Sequence, residues 1–147
     1  MIVVDTSAWI EFFRATGSSA HLALRRLLLA HAPVAATEVV VMEVLAGVRS
    51  EREWRAARAQ LLGLPVLSLR GIADFERAAS LYRTCRQRGV TPRRLTDLLI
   101  ALCALDADAT LLHADRDFDH IAAAIGLTVH PHDPPGPPAQ RSTAARS

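Results

Sequence analysis

Lysine is absent from this chain, and all 17 of its basic residues are arginine. That removes every mechanism built on a lysine amine, including phosphate-binding loops of the G-K-[ST] type, Schiff-base chemistry and Ser-Lys hydrolysis. A GC-rich preference for arginine codons accounts for the bias itself. Cysteine is scarce. Cys85 and Cys103 fall in stretches of helical spacing, show no C-x-x-C pattern, and read as buried or semi-buried thiols. No apolar run approaches the roughly 20 residues a membrane span requires. Asp5 also interrupts the hydrophobic opening Met1-Ile2-Val3-Val4 too early for a secretory leader. A soluble, cytoplasmic protein with no membrane partner is the expectation. The formal charge of +2 is too small to name a partner by itself.

What is present is a hydrophobic content of 50% in 147 residues, enough for one domain with its own core. Ile2-Val3-Val4 reads as a strand, followed by a helix through Phe13. Leucines at helical spacing run from His21 to His31, and Pro33 to Ala36 suggests a second strand before a helix from Thr37 to Val48. Glu51 to Leu62 is a charged amphipathic helix, Gly63 to Leu69 holds the next strand, and Gly71 to Arg88 is helical again. Arg94 to Leu105 is an apolar helix, Ala109 to His113 a buried strand, and Phe118 to Ile125 a helix stopped by Gly126. A last strand is expected at Leu127 to Val129. Strands alternating with helices imply an α/β domain with a mainly parallel sheet flanked by helices. The domain is expected to span residues 1–130. Residues 131–147, rich in proline and poor in apolar side chains, read as a flexible tail.

The informative feature is acid placed where acid is costly. Asp5 ends an apolar strand, and Glu43 sits inside Val39-Val40-Val41-Met42-Glu43-Val44-Leu45. Asp97 lies inside Leu95-Thr96-Asp97-Leu98-Leu99-Ile100, and Asp115 follows Leu111-Leu112-His113-Ala114. An ionised carboxylate in such surroundings must be paired, hydrogen-bonded or metal-bound, or its pKa rises until it is neutral. Residues just past the carboxyl ends of parallel strands share one crevice, which is the address of Asp5 and Asp115. Gathered carboxylates call for a divalent cation, and all-oxygen ligands favour magnesium or manganese over zinc. Each acid alone also has a structural explanation. Asp5, Asp115 and Asp117 suit helix capping, Asp97 suits a first helical turn, and Glu43 suits a surface ion pair. Capping does not explain an acid on an apolar helix face.

These segments together resemble the PIN-domain ribonucleases, and specifically the VapC-type toxins of bacterial toxin–antitoxin pairs. The resemblance covers about residues 1 to 130. It rests on Val4-Asp5-Thr6-Ser7-Ala8-Trp9-Ile10-Glu11, Glu43-Val44-Leu45-Ala46-Gly47, Thr96-Asp97-Leu98-Leu99-Ile100-Ala101 and Leu111-Leu112-His113-Ala114-Asp115-Arg116-Asp117-Phe118, in that order. It implies a three-layer PIN-like domain and a magnesium-dependent endoribonuclease, with manganese as a substitute. Asp5 and Asp97 would be the most direct metal ligands and Asp115 would help hold that ion or a second. Glu43 would orient or deprotonate the attacking water. Thr6 or Ser7 would steady the Asp5 carboxylate. The resemblance further implies an RNA substrate, a cognate antitoxin whose segment covers or enters the acidic groove, and a homodimer.

Arg83, Arg86, Arg88, Arg93 and Arg94 lie within twelve residues just before Asp97. Arg93 and Arg94 are the candidates to meet an RNA backbone, with a solvated helix end as the plain alternative. Arg49, Arg52, Arg55 and Arg58, interleaved with Glu51 and Glu53, are explained by helical ion pairs. Asp115-x-Asp117-x-Asp119 starts like a calcium loop, but His120 and Gly126 stand where glycine and glutamate are needed, so Asp117 is kept as an additional acid of the cluster. No H-E-x-x-H pattern occurs. His113 suits a core position or a minor substrate contact, and Trp9, Ile10, Phe12 and Phe13 suit core or interface. Two rivals stand beside the nuclease. A phosphotransferase with Asp5 as nucleophile lacks its second aspartate, because Ser7 occupies that position. A non-catalytic PIN-like module that binds RNA or protein keeps the same acids.

Overall fold

The computed structural model describes residues 1–132. The β-branched run Ile2–Val4 forms strand β1, and Asp5 ends it by capping helix α1, Thr6–Phe13. Helix α2 spans Ser19–Leu29 from a Ser18 cap, followed by β2, Val34–Thr37, whose Thr37 hydroxyl accepts the Val40 N–H and opens α3, Glu38–Gly47. Helix α4, Glu51–Leu62, starts from Ser50. Strand β3 covers Val66–Leu67, α5 covers Ile72–Gln87, α6 covers Thr96–Asp106, β4 covers Thr110–Leu112 and α7 covers Arg116–Ile125. The element order matches the expected alternation of strands and helices. The last expected strand does not form. At Leu127 to Val129 only Val129 makes a parallel bridge, to Leu111, because Gly126 reverses the chain and the segment leaves the sheet at His130. The third strand is also shorter than Gly63 to Leu69, since Leu64 still closes onto the end of α4 and Leu69 turns its N–H to the Glu38 carboxylate. The proline-rich segment from Asp133 onward lies outside the described residues.

All strand pairs are parallel, in the order β3-β2-β1-β4, with Ile2 beside both Val34 and Thr110. This is an α/β three-layer arrangement with a parallel sheet between helices, as expected. Both central strands are apolar almost throughout because both faces of the sheet are covered. Val3, Val4, Ala35 and Leu111 are fully buried, and Trp9, Leu24, Leu98, Ile100 and Ile121 fill the layers around them. Trp9 is a core residue, with the Phe12 and Phe13 rings 5.7 and 5.6 Å away. No helix among the described residues is long and apolar enough to cross a membrane. Because β1 is a central strand, its carboxyl end lies beside those of both β2 and β4, and a residue placed there meets side chains from either side of the sheet.

Candidate active site at the carboxyl ends of the strands

Asp5 continues the β1 ladder for one more step, its N–H donating to the Leu112 carbonyl at 2.9 Å. Its side chain is 4% exposed, and Oδ2 accepts the Ser7 N–H at 2.9 Å and the Ser7 hydroxyl. Burial is the main reason the Asp5 pKa is raised; the Ser7 bonds oppose this, and the nearby Glu43 charge adds to it. The Ser7 hydroxyl also accepts the Ala114 N–H at 2.9 Å, tying the turn after β1 to the loop that carries Asp115. Of the two residues expected to steady Asp5, Ser7 does so with hydroxyl and N–H, and the Thr6 backbone adds a smaller contribution. Thr6 sends its hydroxyl elsewhere, to Glu43 Oε1 at 3.0 Å. Glu43 reaches that point from the middle of α3, half-buried.

Asp97 stands in the first turn of α6, which has no side-chain cap, and is 5% exposed. Burial pushes its carboxyl up to about 7, with Asp5, Glu43 and Asp115 adding repulsion and Arg94 relieving part of it. The four acids therefore share one field although they come from β1, α3, α6 and the start of α7. Helices α1, α6 and α7 all begin here, and the positive ends of their dipoles offset some of the crowding.

Asp115 caps α7, its Oδ1 accepting the Asp117 N–H at 3.0 Å, so the capping explanation and the cluster explanation hold at once. The same oxygen accepts Arg93 Nη2 at 3.2 Å, while Arg93 Nε donates to Asp117 at 2.6 Å. Arg93 and Asp117 are thus paired with each other at the rim. The loop is set further by His113, which is buried and accepts the Asp115 N–H on Nδ1 at 3.1 Å. Its Nε2, 3.1 Å from Asp119, must then carry the proton, and burial holds the ring's pKa below the usual histidine value.

Sequence reading missed two features. The first is the role of Ser7 as a link between Asp5 and Ala114. The second is Asp74, buried in the first turn of α5 and bonded by Arg70 and Arg77, which both also reach Asp106. An acid within Ile72-Ala73-Asp74-Phe75 was the available signal. This second cluster fastens α5 to the end of α6 and belongs to the scaffold.

The donors of the crevice are carboxylate oxygens, and Asp97 has more negative charge nearby than Arg94 relieves, so the site suits a hard cation. Among the described residues, no three acidic, histidine or cysteine side chains close into a cage.

Comparison with known proteins agrees with this architecture. The PIN domain family profile matches residues 2–124. Ribonuclease VapC11 of Mycobacterium tuberculosis is 42% identical over 128 residues, covering 86% of this chain and 96% of that protein. Ribonuclease VapC51 of the same organism is 34% identical over 93 residues, covering 63% of this chain and 67% of that protein. In fold, the chain resembles VapBC2 from Rickettsia felis bound to a promoter DNA fragment, with a TM-score of 0.68 at 21% identity over 90% of this chain and 100% of that one. It also resembles Mycobacterium tuberculosis VapC20, described as a sarcin-ricin loop cleaving toxin, with a TM-score of 0.66 at 21% identity over 89% and 100% of the two chains. The chain belongs to the PIN-domain family and, within it, to the VapC ribonucleases.

Proposed function

We propose that this protein is a magnesium-dependent endoribonuclease, able to use manganese, that acts as the toxin of a toxin–antitoxin pair. The observation that carries the reading is the gathering of acids from separate elements at the carboxyl end of the central strand β1, with Asp5 and Asp97 both buried and Asp97 within the field of Asp5, Glu43 and Asp115. The names of the relatives support the same direction, since VapC11 is a ribonuclease and VapC20 a loop-cleaving toxin.

Asp5 and Asp97 would hold the cation most directly, with Asp115 contributing from the far side of the crevice. The chemistry a divalent cation supplies when bound there is a lowered water pKa and neutralised charge on the phosphate oxygens. Ser7 would hold the Asp5 carboxylate still for the cation through its bonds to Oδ2. Glu43, steadied on Oε1 by Thr6, orients the attacking water and takes its proton on the remaining oxygen. Arg94, whose charge acts on Asp97, would meet a phosphate approaching that acid. No covalent enzyme intermediate is needed. In the cell the chain would work as a cytoplasmic homodimer with a cognate antitoxin covering the crevice; chains of similar fold are found in VapBC structures.

The test is cleavage of a mixed RNA pool, including structured tRNA and rRNA, by purified protein with magnesium, with EDTA, and with the Asp5→Asn and Asp97→Asn variants. Cleavage that disappears with EDTA and with either variant is the expected result. Full cleavage by Asp97→Asn would overturn the assignment, and folded protein that binds magnesium and RNA but cuts neither class of RNA would move the reading to a binding module.

A further inference from the structure

Arg93, a candidate substrate contact by sequence, spans Asp115 and Asp117 with two separate guanidinium nitrogens. We infer that Arg93 is a built-in counter-cation for Asp115, a positioning residue that sets how readily the acid crevice takes a divalent cation. The inference rests on the crevice being the metal site of the proposed nuclease.

Three observations carry it. First, the loop bearing Arg93 is laced in place: Arg86 donates to Thr91 at 2.8 Å, Arg88 donates to the Ala124 carbonyl of α7, and Pro92 is buried. The backbone that carries Arg93 is therefore held beside the start of α7. Second, the bond from Arg93 to Asp115 falls on Oδ1, which already accepts the Asp117 N–H. Among the described residues no hydrogen bond reaches Oδ2, so the carboxylate is turned with one oxygen committed and one offered. Third, the Arg93 side chain is 70% exposed against 23% for each of its partners.

The pairing is thus made at the rim, in water, where ion pairs are weak enough to exchange. A cation drawing on Asp115 meets charge already shared with the guanidinium and must displace part of that share. A phosphate entering the crevice offers Arg93 a matching bidentate partner. The residue is placed to trade Asp115 for the RNA backbone as the cation takes the carboxylate.

The experiment is a manganese titration followed by the EPR signal of free Mn2+, without RNA, on wild type, Arg93→Ala, Arg93→Gln, Asp97→Asn and Arg55→Gln. Arg55 is an exposed arginine on α4 paired with Glu51, so its variant controls for net charge alone. Loss of Arg93 is expected to tighten Mn2+ binding by about five-fold, the scale of an exposed ion pair, in both variants, with Arg55→Gln unchanged. Thermal melts confirm that each variant is folded, and Arg93→Gln serves if the alanine variant is not. Unchanged or weaker binding in the folded Arg93 variants would overturn the inference while leaving the metal site intact. Equal tightening in Arg55→Gln would reduce the effect to overall charge and also overturn it. If wild type shows no Mn2+ binding that Asp97→Asn removes, the underlying metal-site reading fails, and this inference with it.

Discussion

At Ser7 one hydroxyl joins two strand ends, donating to Asp5 and accepting from Ala114, which is 107 positions away in the chain. Ser7→Ala removes both bonds and is expected to destabilise the fold by about 2 kcal/mol and to lower cleavage at least ten-fold, read by urea unfolding and single-turnover assay. Thr6→Val should be milder in stability, because the valine keeps the volume, yet should slow cleavage through a loosened Glu43; equal rates would show that Thr6 does not position it. Asp97 has a sign that can be worked out. Its folded pKa, about 7, lies above the ordinary carboxylate value. Its contribution to stability is therefore best at low pH and declines as pH rises from about 4 through 7. In EDTA at pH 8, Asp97→Asn should raise Tm by about 5 °C, and the gain should vanish near pH 4; assayed separately with magnesium, the same variant should not cleave. A gain independent of pH would remove the electrostatic explanation.

Helices α5 and α6 are held at one end by Asp74, whose carboxyl the Arg70 guanidinium and N–H, then Arg77, bring down to about 2. A lowered carboxylate pKa contributes stability above the unfolded value, near 4, and loses it as pH falls toward 2. Asp74→Asn should therefore melt earlier than wild type at pH 7, with the difference shrinking below pH 4 in a circular-dichroism titration. Helix α7 depends on its stop, Gly126, whose φ of +75 is the left-handed conformation that glycine adopts at no steric cost. Most helices were legible from apolar spacing, to within two residues or so at each end. Leucine spacing placed α2 from His21, whereas the Ser18 cap starts it at Ser19. The short strands were harder. β3 has two residues, and whether Leu127 to Val129 pairs with β4 over one residue or three depends on how α7 packs, which local pattern does not encode.

Across the whole molecule, the core ends at Val129, with every fully packed apolar side chain of the described residues between Val3 and Leu127. A chain ended after His132 is expected to keep its Tm to within about 2 °C and its RNA cleavage, measured side by side with the full chain. A groove of about 800 Å³, lined by Phe12, Leu28, Val34 and Leu64, opens at the amino ends of β1 and β2, the opposite edge from the acids. That groove is apolar, whereas buried charge gathers at the carboxyl ends of the strands. The sequence by itself determined that a parallel α/β domain would form and that Asp5, Glu43, Asp97 and Asp115 were acids in apolar surroundings, because periodicity and local composition report which face a residue occupies. Tertiary structure alone decided who holds whom: Ser7 on Asp5, Thr6 on Glu43, Arg93 on Asp115. Those pairings depend on distances of roughly 3 Å, the range of a hydrogen bond, mostly between residues remote in the chain, and no local pattern carries that information.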